Sequence, residues 1–385
     1  MRRPLLVAAL VVATVACSPP PAEVDRGYLV ITGAGGSLET VDMTTEERQV
    51  VSPASGAPVP VQATASHDGT TLVWSDVDAE GRQVVRVRAE GATNELEVPT
   101  VPFYYAFNAD GSTLAALGND PAGQGVALLL IDVDGDRAEL VEVGQPYFID
   151  WGPDGERLAV HVGNDVLGLV DGRGDRTNVE VSPGLFSAPA WTEDGRIVAV
   201  LATDQLTASL AALQAPRFTL ALVDPDDAST ETVADLSESA AFEISGDRIA
   251  YIHADSGLGP LAVVDIDGRN PVEVAADEVV AFEWSPDGQS LLFYTLASES
   301  LELVPHVWDG DAVVDFAGFM PTAMFVNQYL PFWAQYTRTI TQWSPDSTGF
   351  AYAAAPDDGP GQVRFQPLDG EIVDMGEGEM VIWSP

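Results

Sequence analysis

Lysine is absent from this sequence, cysteine occurs once, and histidine occurs four times in 385 residues. All 17 basic residues are arginines and face 59 acidic ones, giving a formal net charge of −42. A surface of that sign repels DNA, RNA and anionic lipid headgroups, because binding such polyanions relies on basic side chains that neutralise phosphate. Nucleic acid is thereby excluded as a partner. With Cys17 as the lone cysteine, no disulfide can form within the chain, so stability must come from packing. The histidines, His67, His161, His253 and His306, are too dispersed for an HxxxH or HExxH metal motif, and no GxSxG nucleophile elbow occurs. The sequence "DVDGDRAELVEV" from Asp132 begins like a calcium-binding loop. However, Arg137 occupies its glycine position and Val143 its final carboxylate position. These absences favour a non-catalytic protein without a cofactor. Long apolar stretches of helical period are missing as well, which points to an all-β fold.

The amino terminus carries the only address. "MRR" precedes an apolar run, Leu5 to Val12, and then "ATVACSPPP". A basic start, a short apolar core and small residues before a cut describe a secretory signal over residues 1–16. The segment is similar to the lipobox of bacterial lipoproteins, with Ala16 before the cut and Cys17 after it, although Thr14 stands where that family usually has leucine. This resemblance implies lipidation at Cys17, a Pro-rich tether over residues 17–27 and an extracytoplasmic protein that meets the membrane only through its lipid. The alternative is an ordinary signal peptide with an incidental cysteine.

The rest of the chain is a repeat. One position, usually tryptophan, recurs at Ala65, Phe107, Trp151, Trp191, Ile244, Trp284, Trp343 and Trp383. The spacing is roughly 40 residues, with two longer gaps, a period typical of repeat architectures. Each interval spells four short strands. The first runs into a tight turn such as "PDG", the second follows at once ("RLAVHV" from Arg157, "SLLFYT" from Ser290), the third ends in an acidic turn ("LAVVDIDG" from Leu261), and the fourth closes the unit. Four antiparallel strands per period suggest a β-propeller blade. "GYLVIT" from Gly27, "LETVDMTT" and "EERQVVS" read as the last three strands of a blade with no first strand, and "MVIWSP" at the carboxyl end reads as a first strand alone. The expected fold is therefore one eight-bladed propeller over residues 28–385, its last blade completed by both ends of the chain, with seven blades as the alternative. The repeats "WSPDG" plus "LLF" and "VVDIDG" strands resemble the WD-like repeats of the TolB propeller family over about residues 28–385. That resemblance implies the fold and leaves function open, since such repeats serve scaffolds, sensors and enzyme appendages alike.

A meander places the "PDG" turns on one face, where Asp110, Asp154, Asp194 and Asp287 are expected to cap their own turns. The opposite face collects aromatics, Phe103, Tyr104, Tyr105, Tyr147, Phe148 and Phe186, and carboxylates, Asp76, Asp78, Asp120, Asp165, Asp204, Asp255, Asp357 and Asp358. Aromatic platforms ringed by acids suit a protein or peptide partner, or a ligand with apolar surface and positive charge. Two insertions open onto that face. One spans residues 204–216; the other, residues 318–338, holds Phe325, Tyr329, Phe332, Trp333 and Tyr336 and is either a lid or docking surface or a plug that seals the ring. One residue before the repeat position stand Asp150, Glu243, Glu283 and Gln342, on the innermost strand of four blades. These either line a hydrated channel or converge on a hard cation such as Ca²⁺. A binding scaffold built from a monomeric domain is the leading expectation; an enzyme or metal-dependent binding protein using the channel carboxylates is the other.

Overall fold

The computed structural model describes residues 27–54, 63–77, 80, 82–89, 91–133, 137–163, 165–184, 187–203, 218–236, 240–253, 258–297 and 300–384. Nearly all regular structure in them is antiparallel sheet. Residues 63–96, 102–144, 147–179 and 190–236 form four consecutive four-stranded meanders. Residues 240–315 make a seven-stranded sheet, because the 13-residue strand Val272–Trp284 is the last strand of one meander and continues as the first of the next. A three-stranded sheet follows over residues 349–377. Its missing inner strand is supplied by the segment around Trp343, which bridges to Phe350. The remaining four-stranded sheet joins both ends of the chain: Met380–Ser384 pairs with Tyr28–Thr32 in unbroken register, from Thr32 opposite Met380 to Tyr28 opposite Ser384.

Side-chain packing shows how these sheets stack. One core cluster joins Val73 and Val85 to Tyr105, Leu114 and Leu129 of the next sheet, and another joins Ala159 and Leu167 to Trp191 and Ile197. A third joins Val200 and Leu220 to Phe242 and Ile249. The last closes the circuit, with Ala351, Ala353 and Val363 against Leu29, Ile31 and Trp383. Each sheet thus buries both faces against its neighbours. This explains why the middle strands are apolar throughout, as in Leu158, Ala159 and Val160, rather than alternating. Outer strands have only one neighbour and are exposed, as in Ala92–Leu96.

The turns behave as the sequence predicts. Gly288 has φ 66°, and Ser347, which replaces glycine in its turn, is held at φ 58° in the left-handed region. The turn carboxylates cap locally: Asp110 accepts from the Ser112 amide and Asp154 from the Glu156 amide, each at 2.9 Å. Pairing between third and fourth strands slips by one residue at Leu128/Leu129, at Leu220/Ala221 and at Val363/Arg364. A bulge recurring at the outer pair adds twist where a blade splays away from its neighbours.

Candidate functional site

The innermost strands carry a repeated link between sheets. The Trp151 indole N–H donates to the Ala106 carbonyl at 3.0 Å, Trp191 to Asp150 at 3.1 Å, Trp284 to Glu243 at 3.4 Å and Trp343 to Glu283 at 3.1 Å. In three sheets the residue before the repeat position, Trp151, Ile244 or Trp284, completes the link from its side chain. Asp150 Oδ2 accepts from the Trp191 amide at 2.7 Å and Glu243 Oε2 from the Trp284 amide at 3.0 Å. Glu283 accepts from the Gln342 amide at 3.1 and 3.2 Å. Arg157 and Arg248 cover two of the tryptophans, with guanidinium carbons 5.3 and 4.7 Å from the ring centroids of Trp191 and Trp284.

These contacts engage the three carboxylates that stand at the expected channel position. Asp150, Glu243 and Glu283 each cross to the next sheet to cap a backbone N–H, and no group of three or more His, Cys, Asp or Glu able to hold a metal occurs among the described residues. Burial dominates their acidity. Asp150 is pushed up to about 6, against the pull of Arg338 and the Trp191 amide, and Glu283 up to about 7. Glu243 rises well above the usual carboxylate range, through burial and the nearby Glu283 charge. Arg338, from the end of the insertion, reaches the same region: it lies 5.5 Å over the Phe242 ring and donates to the Phe242 carbonyl at 3.2 Å.

The insertion turns out to be both plug and wall. It winds through a π-helical turn at Phe325–Tyr329, a 3₁₀ turn at Leu330–Phe332 and a single α-turn at Trp333–Tyr336. Its underside is buried: Trp333 packs edge-on against Phe282 at 4.4 Å, so it is a core residue and not part of the ligand face. Gln335 pins this segment to the sheet of residues 147–179. Its amide accepts from the Ile149 N–H at 2.9 Å and donates to the Ile149 carbonyl and the Tyr104 hydroxyl, both at 2.8 Å. A side-chain amide here satisfies both backbone groups of one strand residue, as a neighbouring strand would.

Above this plug lies a cavity of about 680 Å³. It opens on the face opposite the "PDG" turns. Phe103, Tyr104, Tyr147, Phe148 and Leu117 come from two adjacent sheets. Val30, Met380 and Ile382 come from the sheet made by the two ends of the chain. Met324, Gln328, Tyr329, Phe332 and Tyr336 come from the insertion. The structure therefore brings together six predicted aromatics, Phe103, Tyr104, Tyr147, Tyr329, Phe332 and Tyr336, from segments more than 200 residues apart. It does not bring the predicted acids with them. Asp120 caps its own turn, accepting from the Gln124 amide at 2.9 Å, and Asp165 is exposed; neither lines the cavity. Both sit in short connections whose own backbone donors capture or turn out the carboxylate. Phe186, Asp255, Cys17 and the insertion at 204–216 lie outside the described residues. Sequence reading missed Gln335, Arg338, Met380 and Ile382. A lone polar residue inside an aromatic run was the only signal for Gln335, and the last two join the site only because the chain ends meet.

The sheets, their order and their closure define a β-propeller, and solved structures of that kind resemble it. The β-propeller domain of the trilobed protease from Pyrococcus furiosus matches 82% of this chain and 97% of its own at 12% identity, with a TM-score of 0.52. The dihydro-heme d1 dehydrogenase NirN, solved in complex with DHE, matches 94% of this chain and 76% of its own at 13% identity and TM-score 0.56. TolB from Acinetobacter baumannii matches 66% of each chain at 15% identity and TM-score 0.37. No protein-family model and no curated protein matches the sequence. At these identities the likeness extends to the fold alone.

Proposed function

We propose that this chain is a non-catalytic binding propeller whose ligand site is the insertion-capped cavity at the mouth of the ring. The observation that carries this reading is the cavity itself. Pockets of roughly 300–1,000 Å³ lined by apolar and aromatic side chains are typical ligand sites, and this one, at about 680 Å³, is assembled from four sheets and the insertion. Exposed Phe332, at 55%, and exposed Val326 beside it offer an apolar rim that a protein or peptide partner can also contact. The ring counts eight blades in this reading, the seven-stranded sheet being two blades fused through Val272–Trp284. The lipobox-like start tethers the chain to the outer side of a bacterial membrane through Cys17.

Affinity capture from detergent-solubilised envelope, using the full chain as bait, tests the binding role. Phe332→Asp is the informative variant because the side chain is already half in solvent. Loss of the captured component with Phe332→Asp supports the reading; equal capture by both proteins overturns it. For the address, Cys17→Ser is expected to move the protein from the membrane to the soluble fraction, and its retention in membranes would remove the lipid anchor.

A further inference from the structure

The cavity has a chemical character at odds with the rest of the molecule. The chain carries a net charge of −42, yet no residue lining the cavity is charged. An anionic ligand would approach against the field of the whole protein and then lose its hydration with no cation to receive it. A cation would be drawn to the surface, but inside it would find no carboxylate.

Aromatic faces are the one remaining way to hold a cation, and those of Tyr104, Tyr329 and Tyr336 are partly taken up by other rings. Tyr336 stacks on Tyr104 at 5.5 Å and on Tyr329 at 6.0 Å, and Tyr329 stacks in turn on Phe325 at 4.9 Å. Stacking on one another leaves less of these ring faces free for a cation.

Hydrogen-bonding capacity is present in small amount. Tyr329 and Tyr336, 3% and 7% exposed, line the cavity, and each carries a hydroxyl. The Tyr104 and Tyr147 hydroxyls are already engaged, with Gln335 and Glu142. The Gln328 side-chain amide adds an uncharged donor and acceptor at the wall.

We infer that the cavity takes an uncharged, largely apolar small molecule bearing one or two hydrogen-bonding groups. This rests on the binding-site reading above and narrows it from any ligand of the aromatic face to one chemical class. The uncharged lining argues against the positively charged ligand that the aromatic face alone suggests.

The test is a fluorescence titration of the full chain with three aromatic probes that differ in charge: neutral N-phenylnaphthylamine, anionic anilinonaphthalene sulfonate and a cationic trimethylammonium derivative of N-phenylnaphthylamine. The expected result is saturable binding of the neutral probe at one site per chain, at least about tenfold tighter than either charged probe. Phe332→Asp should weaken it by about tenfold or more, consistent with the loss of one aromatic contact. Gln328→Glu, which places a charge on the wall without changing its shape, should weaken the neutral probe and improve the cation, with unchanged melting temperatures for both variants. Tighter binding of the cationic probe by the unaltered chain would overturn the ligand class while leaving the site in place. So would binding of no probe together with loss of an envelope partner on Phe332→Asp. Neutral-probe binding indifferent to both substitutions would overturn the site as well.

Discussion

Replacing Glu283 by Gln isolates one buried carboxyl group and predicts a pH-dependent gain in stability. Glu283 is 3% exposed and accepts the Gln342 amide with both oxygens. Burial raises it from 4.5 to about 7. The raised value fixes the sign. The folded protein holds this proton more tightly than the unfolded chain, so folding loses stability as pH climbs from about 4.5 through about 7 and is unaffected by the group below that window. At about 1.4 kcal/mol per pH unit of displacement, the loss is on the order of 3 kcal/mol by pH 8. Glutamine keeps an oxygen for the Gln342 amide and never ionises. Urea denaturation of both proteins at pH 4, 7 and 9 should therefore give nearly equal stabilities at pH 4. At pH 9 the variant should be the more stable by up to about 3 kcal/mol. A difference that stays flat with pH would refute the argument. A variant less stable at pH 9 would show that Glu283 is ionised and held by a cation, reviving the channel metal site.

The other expectations concern the ring and its plug. Trp383→Ala empties a site 3% exposed beneath Phe365 in the closing strand and should cost about 3–5 kcal/mol; deleting residues 380–384 should cost more, because the whole edge of Tyr28–Thr32 is uncovered. Either protein melting like the parent would mean that the chain ends do not close the ring. Gln335→Leu leaves the Ile149 N–H and carbonyl and the Tyr104 hydroxyl without their partner, so thermal unfolding should report a loss of about 2–5 kcal/mol. Both Gly195 and Gly268 have positive φ, but a methyl at Gly195 meets nothing within 4 Å whereas one at Gly268 would lie 2.8 Å from the Val233 carbonyl of the next sheet. Gly195→Ala should cost about 1 kcal/mol and Gly268→Ala clearly more, and equal costs would argue against the close contact between those sheets.

Much of the fold is legible before any coordinates because its causes are local. The recurrence of tryptophan, of "PDG" turns with a glycine or its substitute at positive φ, and of apolar second and third strands specifies four-stranded meanders. The incomplete "VIWSP" specifies a strand in need of a partner. The aromatic face follows from the same logic, since a meander decides which connections share a side, and six of the predicted aromatics do meet at one cavity. Their neutral surroundings could not be read this way. Whether Asp120 faces a ligand or its own turn depends on backbone amides a few residues away, and periodicity carries no information about that choice.

Tertiary structure alone decided the roles of Asp150, Glu243 and Glu283. Along the chain they read as either the lining of a hydrated channel or ligands for a cation. In the folded ring, each next sheet brings a backbone N–H within 2.7 to 3.2 Å, and the carboxylates become links between sheets. The same holds for the insertion: its sequence shows an aromatic segment able to cover or to seal. Only the approach of Ile149 to Gln335, and of Tyr104 to Tyr336, shows that its inner side seals the ring while its outer side walls a cavity. Repeat pattern and turn chemistry act over a few residues, so the sequence could carry them. Partners separated by 40 to more than 200 residues are chosen by the closure of the ring, which no local signal encodes.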